Sequence, residues 1–142
     1  MAKRILVPVD SSEQAHEACE FVVREFPDAT MVLLHVINPS EAGYSAQASI
    51  PSFSEEWFER EKATAEELFD DLVTATEAYD IEVERVVEVG RPTKAIVDYA
   101  ADHDIDQIVM GSHGRSGVSR ILLGSVAETV VRQASVPVTV TR

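Results

Sequence analysis

Several residue types are scarce in this chain, and each shortage closes off a class of protein. One cysteine, Cys19, in 142 residues leaves no partner for an internal disulfide, which excludes a disulfide-stapled secreted scaffold. No apolar run approaches the roughly 18 residues of a membrane-spanning helix. Met1-Ala2-Lys3-Arg4 leads straight into a strand-like run, without the apolar region of a signal peptide, so the expected location is cytoplasmic. Lysine is nearly missing: Lys3, Lys62 and Lys94 are the lysines among 12 basic residues, and 25 acidic ones bring the formal net charge to −13. Charge of that sign repels duplex DNA, RNA and anionic membranes, so neither a nucleic-acid nor a membrane partner is expected. Acid excess with little lysine reads in two ways: as a halophilic protein, suited to salt that shrinks the Debye length to about 3 Å at 1 M, or as an ordinary acidic cytosolic one. The halophilic reading is preferred.

What is present is a core. Hydrophobic residues make up 45% of the chain and are spread along its length, which supports one folded domain over residues 1–142. Apolar runs alternate with helical periodicity. Residues 3–10 form a near-continuous apolar run of the kind buried on both faces of a parallel sheet, and Pro8, unable to donate to a ladder, belongs at its carboxyl end. Ser11 and Ser12 are candidate N-caps for a helix whose inward face is Ala15, Cys19, Val22, Val23 and Phe26. Residues 30–36 make a second strand, followed by a loop to about Ser54. A helix of some 25 residues comes next, with Phe58, Ala65, Leu68, Phe69, Leu72 and Tyr79 inward. Residues 81–89 are a third strand, 93–102 a helix with Ile96, Val97 and Ala100 inward, and 107–111 a fourth strand. The last helix opens at Gly124-Ser125 with Val126, Val130 and Val131 inward, and Val136 to Thr141 closes the sheet. Five strands separated by helices define a single-domain α/β fold, Rossmann-like, with an open parallel sheet and helices on both faces.

Glycine supplies the one concentrated signal. Four of the six glycines, Gly111, Gly114, Gly117 and Gly124, lie between positions 111 and 124, directly behind the apolar Ile108-Val109-Met110. A loop free of Cβ atoms that runs into a helix N-terminus can present backbone N–H groups to an anion. The residues alone thus read as an anion-cradling loop, or as a tight turn with no guest.

The spacing Gly-x2-Gly-x9-Gly-Ser, together with Val7-Pro8-Val9-Asp10 and the final Val136-Pro137-Val138, resembles the universal stress protein family over nearly the whole chain. The resemblance implies strand order 3-2-1-4-5, which makes strands one and four neighbours where the winding reverses. Ligands of open α/β sheets bind outside the strand carboxyl ends at such a switch point. It implies that ATP, or ADP or AMP, with Mg²⁺ on the phosphates as an option, is bound there. Pro8, Val9, Asp10 and Ser11 would line one side, with Asp10 on ribose or adenine, and Val36 would pack on the base. Met110 and Gly111 would flank the ribose. His113, Gly114, Arg115, Gly124, Ser125 and Val126 would surround the phosphates. One departure bears on this: the family commonly has glycine at the position of Ser11, where serine at positive φ would cost about 1 kcal/mol. Asp10 also has a plainer use as a helix cap.

Groups for catalysis are harder to find. Gly-x4-Gly-Lys-Ser/Thr, His-x-Gly-His and Gly-x-Ser-x-Gly are absent, and His16, His35, His103 and His113 lack metal-ligand spacing. His35, inside a strand, reads first as a satisfied strand-end histidine. The leading expectation is a nucleotide-gated regulatory or stress-response module, a homodimer through the apolar edge strand Val136 to Thr141. The alternatives are a dimeric stress protein that binds partners without nucleotide, and a weak Mg-dependent ATPase whose activity would at most be slow hydrolysis.

Overall fold

The apolar runs form one five-stranded parallel sheet in the computed structural model, which describes residues 2–42, 51–112 and 123–142. The strands are β1 (Arg4–Pro8), β2 (Thr30–Ile37), β3 (Glu82–Val89), β4 (Gln107–Gly111) and β5 (Val138–Thr141), and their order is β3-β2-β1-β4-β5. Burial follows position in the sheet. The middle of β1, the first five residues of β2 and the middle of β4 are buried, whereas β3, at an edge, carries Glu82, Glu84, Arg85 and Glu88 among its valines. That is the difference between a strand covered on both faces and one half in water.

Helices cover both faces because each crossover returns the chain to a parallel start. On one face, α1 (Glu13–Glu25) and α2 (Pro51–Thr76) seal Ile5, Val7, Met31 and Leu33 with Ala15, Cys19, Val22, Val23, Ala65, Phe69 and Leu72. On the other, α3 (Pro92–Asp102) and α4 (Ser125–Gln133) bring Ile96, Tyr99, Ala100, Ala127 and Val130 onto Leu6, Val32, Leu34, Ile108 and Met110. Ser12, not Asp10, is the N-cap of α1: its hydroxyl accepts from the Ala15 N–H at 3.3 Å. Pro92 stands at the first turn of α3, where its missing N–H costs nothing and its φ is already helical.

Element ends move by one to three residues from the periodicity reading, and two inward assignments fail. Tyr79 is exposed because α2 stops at Thr76, whose hydroxyl donates back to the carbonyls of Leu72 and Val73. The chain then turns through a 3₁₀ segment (Glu77–Tyr79) and Asp80 at φ 53°, so the helical period no longer places the side chain. Val131 is likewise exposed. Val130 takes the inward position, and the next residue lies about 100° further round the helix. The expected long loop is shortened at both ends, by a 3₁₀ turn at Pro39–Ala42 and by the start of α2 at Pro51. β5 begins at Val138, two residues later than expected; Pro137 offers only its carbonyl, which accepts from the Ile108 N–H at 2.9 Å. Among the described residues no helix is long and apolar enough to cross a membrane.

Candidate functional site

The switch point lies between β1 and β4, whose ladder covers only Ile5↔Gln107 and Leu6↔Ile108. Past those pairs the two strands run on to Pro8 and Gly111 without further register pairs between them, at the place where an open, doubly wound sheet has its switch-point crevice. The β1 side is held by short local bonds. The Val9 N–H donates to the Leu34 carbonyl at 2.8 Å, and the Val9 carbonyl accepts from Nδ1 of His35 at 3.0 Å. Oδ1 of Asp10 then accepts from the Ser12 N–H at 2.9 Å, a side-chain-closed turn that aspartate forms readily.

The β4 side is tied both to the sheet edge and to α4. Ser112, buried, donates its N–H to the Thr141 carbonyl at 2.9 Å and accepts at its own carbonyl from the Gly124 N–H at 2.7 Å. The chain therefore leaves β4 at Ser112 and is back beside it at Gly124, so that α4 starts next to the β4 tip. Gly124 is the N-cap of α4 at φ −68°, and among the described residues no side chain caps this helix. Its first-turn N–H groups and the positive end of its dipole therefore meet no side-chain cap from the described residues. The start of α1, by contrast, is closed by Ser12. Gly111 touches α1 directly: a Cβ built there would lie 2.8 Å from Cβ of Gln14.

Of the residues expected to line a nucleotide site, Pro8, Val9, Asp10 and Ser11 lie at the tip of β1, and Met110 and Gly111 at the tip of β4. Gly124, Ser125 and Val126 form the start of α4. Val36 sits near the end of β2, half-buried against the cluster that contains Met110. Val9 and Met110 are buried and Ser125 is exposed. Ser11 has no positive φ; among described non-glycine residues only Asp80 and Asp104 do, so the serine carries none of the strain feared for it. His113, Gly114 and Arg115 lie outside the described residues.

Electrostatics narrows what can hold an anion. Arg4 pairs with Glu84, Arg24 with Glu20 and Glu25, Arg85 with Glu66 and Asp70, Lys94 with Asp98, and Arg132 with Glu128. The Arg4–Glu84 pair is bidentate at 2.6 and 3.2 Å, and its hydrogen bond raises the guanidinium's pKa further. No group of three or more His, Cys, Asp or Glu among the described residues could hold a metal ion. A groove of about 380 Å³ lies beside β5, lined by Glu17, Glu20, Phe21, Arg24, Thr139, Val140, Thr141 and Arg142. Glu17 and Glu20 there offset Arg24 and Arg142, so the side chains of the groove bring no net positive charge to a polyphosphate.

His35, read from the sequence as a satisfied strand-end histidine, is one, through its bond to the Val9 carbonyl. Gln14 and Ser112 also make contacts at these strand tips, and their only sequence signal was position: Gln14 in the first turn after the β1 tip and Ser112 directly behind Gly111.

A doubly wound parallel α/β domain with a switch-point crevice and a glycine-rich segment entering a helix is the class these features define. The universal stress protein family model matches residues 1–142, and the chain belongs to that family. It is 32% identical to universal stress protein MJ0577 of Methanocaldococcus jannaschii, over 100% of this chain and 96% of that one. The solved structure of MJ0577 superposes with a TM-score of 0.85 at 34% identity, covering 99% and 96% of the two chains. Universal stress protein UspA from Lactobacillus plantarum gives 0.79 at 30% identity, covering 99% and 97%. A universal stress protein family protein from Arabidopsis thaliana, solved with AMP bound, shares the fold at a TM-score of 0.70 and 21% identity, covering 97% and 90%.

Proposed function

We propose that the crevice between the tips of β1 and β4 binds an adenine nucleotide, ATP by preference and ADP or AMP with fewer contacts, and that occupancy gates a regulatory role in a cytoplasmic stress response. The observation that carries this is the start of α4. Among the described residues no side chain caps it, and it is tied through Gly124 and Ser112 to the tip of β4, the strand beside the one that leads to Asp10. A helix start of this kind suits phosphate, and the carboxylate of Asp10 suits ribose hydroxyls or an adenine amino group. The AMP bound by the Arabidopsis relative supports the ligand class. In this reading His113, Gly114 and Arg115 complete the phosphate side, and Mg²⁺, if it accompanies the nucleotide, would be held by the phosphates and would offset their charge. The test is isothermal titration with each nucleotide, with and without Mg²⁺, on the wild type, Asp10→Ala and Gly114→Val. Saturable binding lost in Gly114→Val is expected. No heat from wild type with any of the three nucleotides rejects the reading.

A difference between the sheet edges favours a homodimer through β5. β3 is guarded by Glu82, Glu84, Arg85 and Glu88, whereas Val138, Thr139, Val140 and Thr141 carry no charge. Charged residues are how natural edges avoid pairing. The carbonyls of Pro137 and Thr141 accept from β4. Ladder alternation then turns the N–H groups of Val138 and Val140 outward. Val140→Pro removes an outward donor and leaves the β4 ladder whole, as proline on an edge strand can. Light scattering on the eluted protein is expected to show a dimer for wild type and a monomer for the variant; a variant that stays dimeric rejects pairing through this edge.

A further inference from the structure

We propose that His35 is a positioning residue of the crevice. Held as the tautomer with hydrogen on Nδ1, it fixes the Val9 carbonyl and through it the turn that carries Asp10. The functional consequence rests on the nucleotide-binding reading; the geometry does not.

β1 ends at Pro8 because proline has no N–H for the next rung, and the last register pair is Pro8↔Leu34. Val9 is then gripped at both polar groups by consecutive residues of β2. Its N–H donates to the Leu34 carbonyl at 2.8 Å, and its carbonyl meets Nδ1 of His35 at 3.0 Å. A carbonyl can only accept, so Nδ1 must carry the hydrogen. In the neutral ring Nε2 is then the acceptor, and the tautomer is dictated by this single contact.

The consequence for the tip follows from peptide planarity. The Val9 carbonyl and the Asp10 N–H belong to one trans peptide and point in opposite directions, and none of the described peptide bonds is cis. Aiming the carbonyl at His35 therefore turns the Asp10 N–H away from it. The next contacts, Asp10 Oδ1 with the Ser12 N–H at 2.9 Å and Ser12 Oγ with the Ala15 N–H at 3.3 Å, carry the same orientation into α1. His35 meets the turn through the Val9 carbonyl, so its effect on Asp10 passes through Val9.

The experiment compares wild type, His35→Asn and His35→Leu. Asparagine can offer a side-chain N–H near the place of Nδ1, and leucine fills similar space without a donor. A long-range nitrogen–proton spectrum of the nucleotide-free wild type is expected to show His35 with hydrogen on Nδ1, and hydrogen on Nε2 alone overturns the proposal. Amide shifts of Asp10, Ser12 and Gly111 are expected to move in His35→Leu and to return toward wild type in His35→Asn; unmoved shifts in the leucine variant overturn it. Nucleotide affinity is expected to fall roughly tenfold in His35→Leu and to stay within about threefold in His35→Asn. Wild-type affinity in His35→Leu likewise overturns it. A wild type that binds no nucleotide defeats the ligand reading by itself and leaves tautomer and shifts to decide the brace.

Discussion

Replacing Gly111 with alanine tests the packing that brings the two tips together. The added Cβ would lie 2.8 Å from Cβ of Gln14, and 3.3 Å from both the Gln14 backbone carbonyl and Oε1. Carbon atoms in comfortable contact stand roughly 3.5–4.0 Å apart, so the β4 tip and the first turn of α1 must separate by about 0.7 Å or more. Neither close contact relaxes by a rotamer change, because one is to the first side-chain carbon and another to the backbone. Overpacking of this kind costs about 1–3 kcal/mol. For a domain of this size, at roughly 3–4 °C per kcal/mol, the melting midpoint should fall by about 3–12 °C. Calorimetric melts at constant KCl measure the first effect and nucleotide titration the second, since the same separation displaces Gly111 from the Asp10 tip. A Gly111→Ala protein that melts within 1 °C of wild type, by that order-of-magnitude scale, and binds equally well would refute the close approach.

Gly90 sets the opposite case. Its φ is +148° and a Cβ there would meet nothing within 4 Å, so Gly90→Ala should lose about 1–3 kcal/mol from backbone strain alone in denaturant unfolding, with nucleotide affinity unchanged; a neutral substitution would contradict the strain. Burial pushes the Cys19 thiol up from 9.0 to about 12. Below pH 9 the folded and unfolded chains are both protonated there, whereas above it the unfolded chain releases its proton first. Stability should therefore decline from pH 9 towards 12 by about 1.4 kcal/mol per pH unit. Tyr99, raised chiefly by burial, adds to the decline at the upper end. Cys19→Ala should flatten the slope, and an unchanged slope would show that the thiol is not its source.

The sheet was largely legible because its signals are local. Pro8 marks the end of β1, Ser12 the start of α1, and the uncharged runs at β1, β2 and β4 their burial. Strand order came with the family resemblance, since runs of buried valine and isoleucine do not say which neighbour they pair with. Tyr79 and Val131 were misplaced because a helical period predicts facing only while the helix lasts and only to within a residue's rotation. At the site, Asp10, Gly111 and Gly124 stood out by type and spacing. His35 was legible as a satisfied strand-end histidine, and its bond to the Val9 carbonyl bears that out; Gln14 and Ser112 did not stand out, because their contacts arise only in the tertiary fold, Gln14 by the approach of β4 to α1 and Ser112 by the return of the chain at Gly124.

Net charge and site together dictate an unusual salt response. Most phosphate-binding proteins hold their ligand with lysines and arginines and lose affinity as salt rises. Here the formal charge is −13, and Arg4, Arg24, Arg85, Lys94 and Arg132 are each engaged by a carboxylate of the chain itself. The field far from the crevice therefore repels a nucleotide, while in the proposed site the attraction is short-ranged, from backbone N–H groups at the start of α4 together with Arg115. Salt screens the first over a Debye length of about 10 Å at 0.1 M and about 3 Å at 1 M, but it weakens short contacts far less. Nucleotide association should consequently speed up between 0.1 and 1 M KCl, with dissociation little changed, so that the equilibrium constant holds or improves. Stopped-flow mixing with a fluorescent adenine nucleotide separates the two rates. Association that slows steeply with salt would mean that free cations, and not the helix start, draw the ligand in.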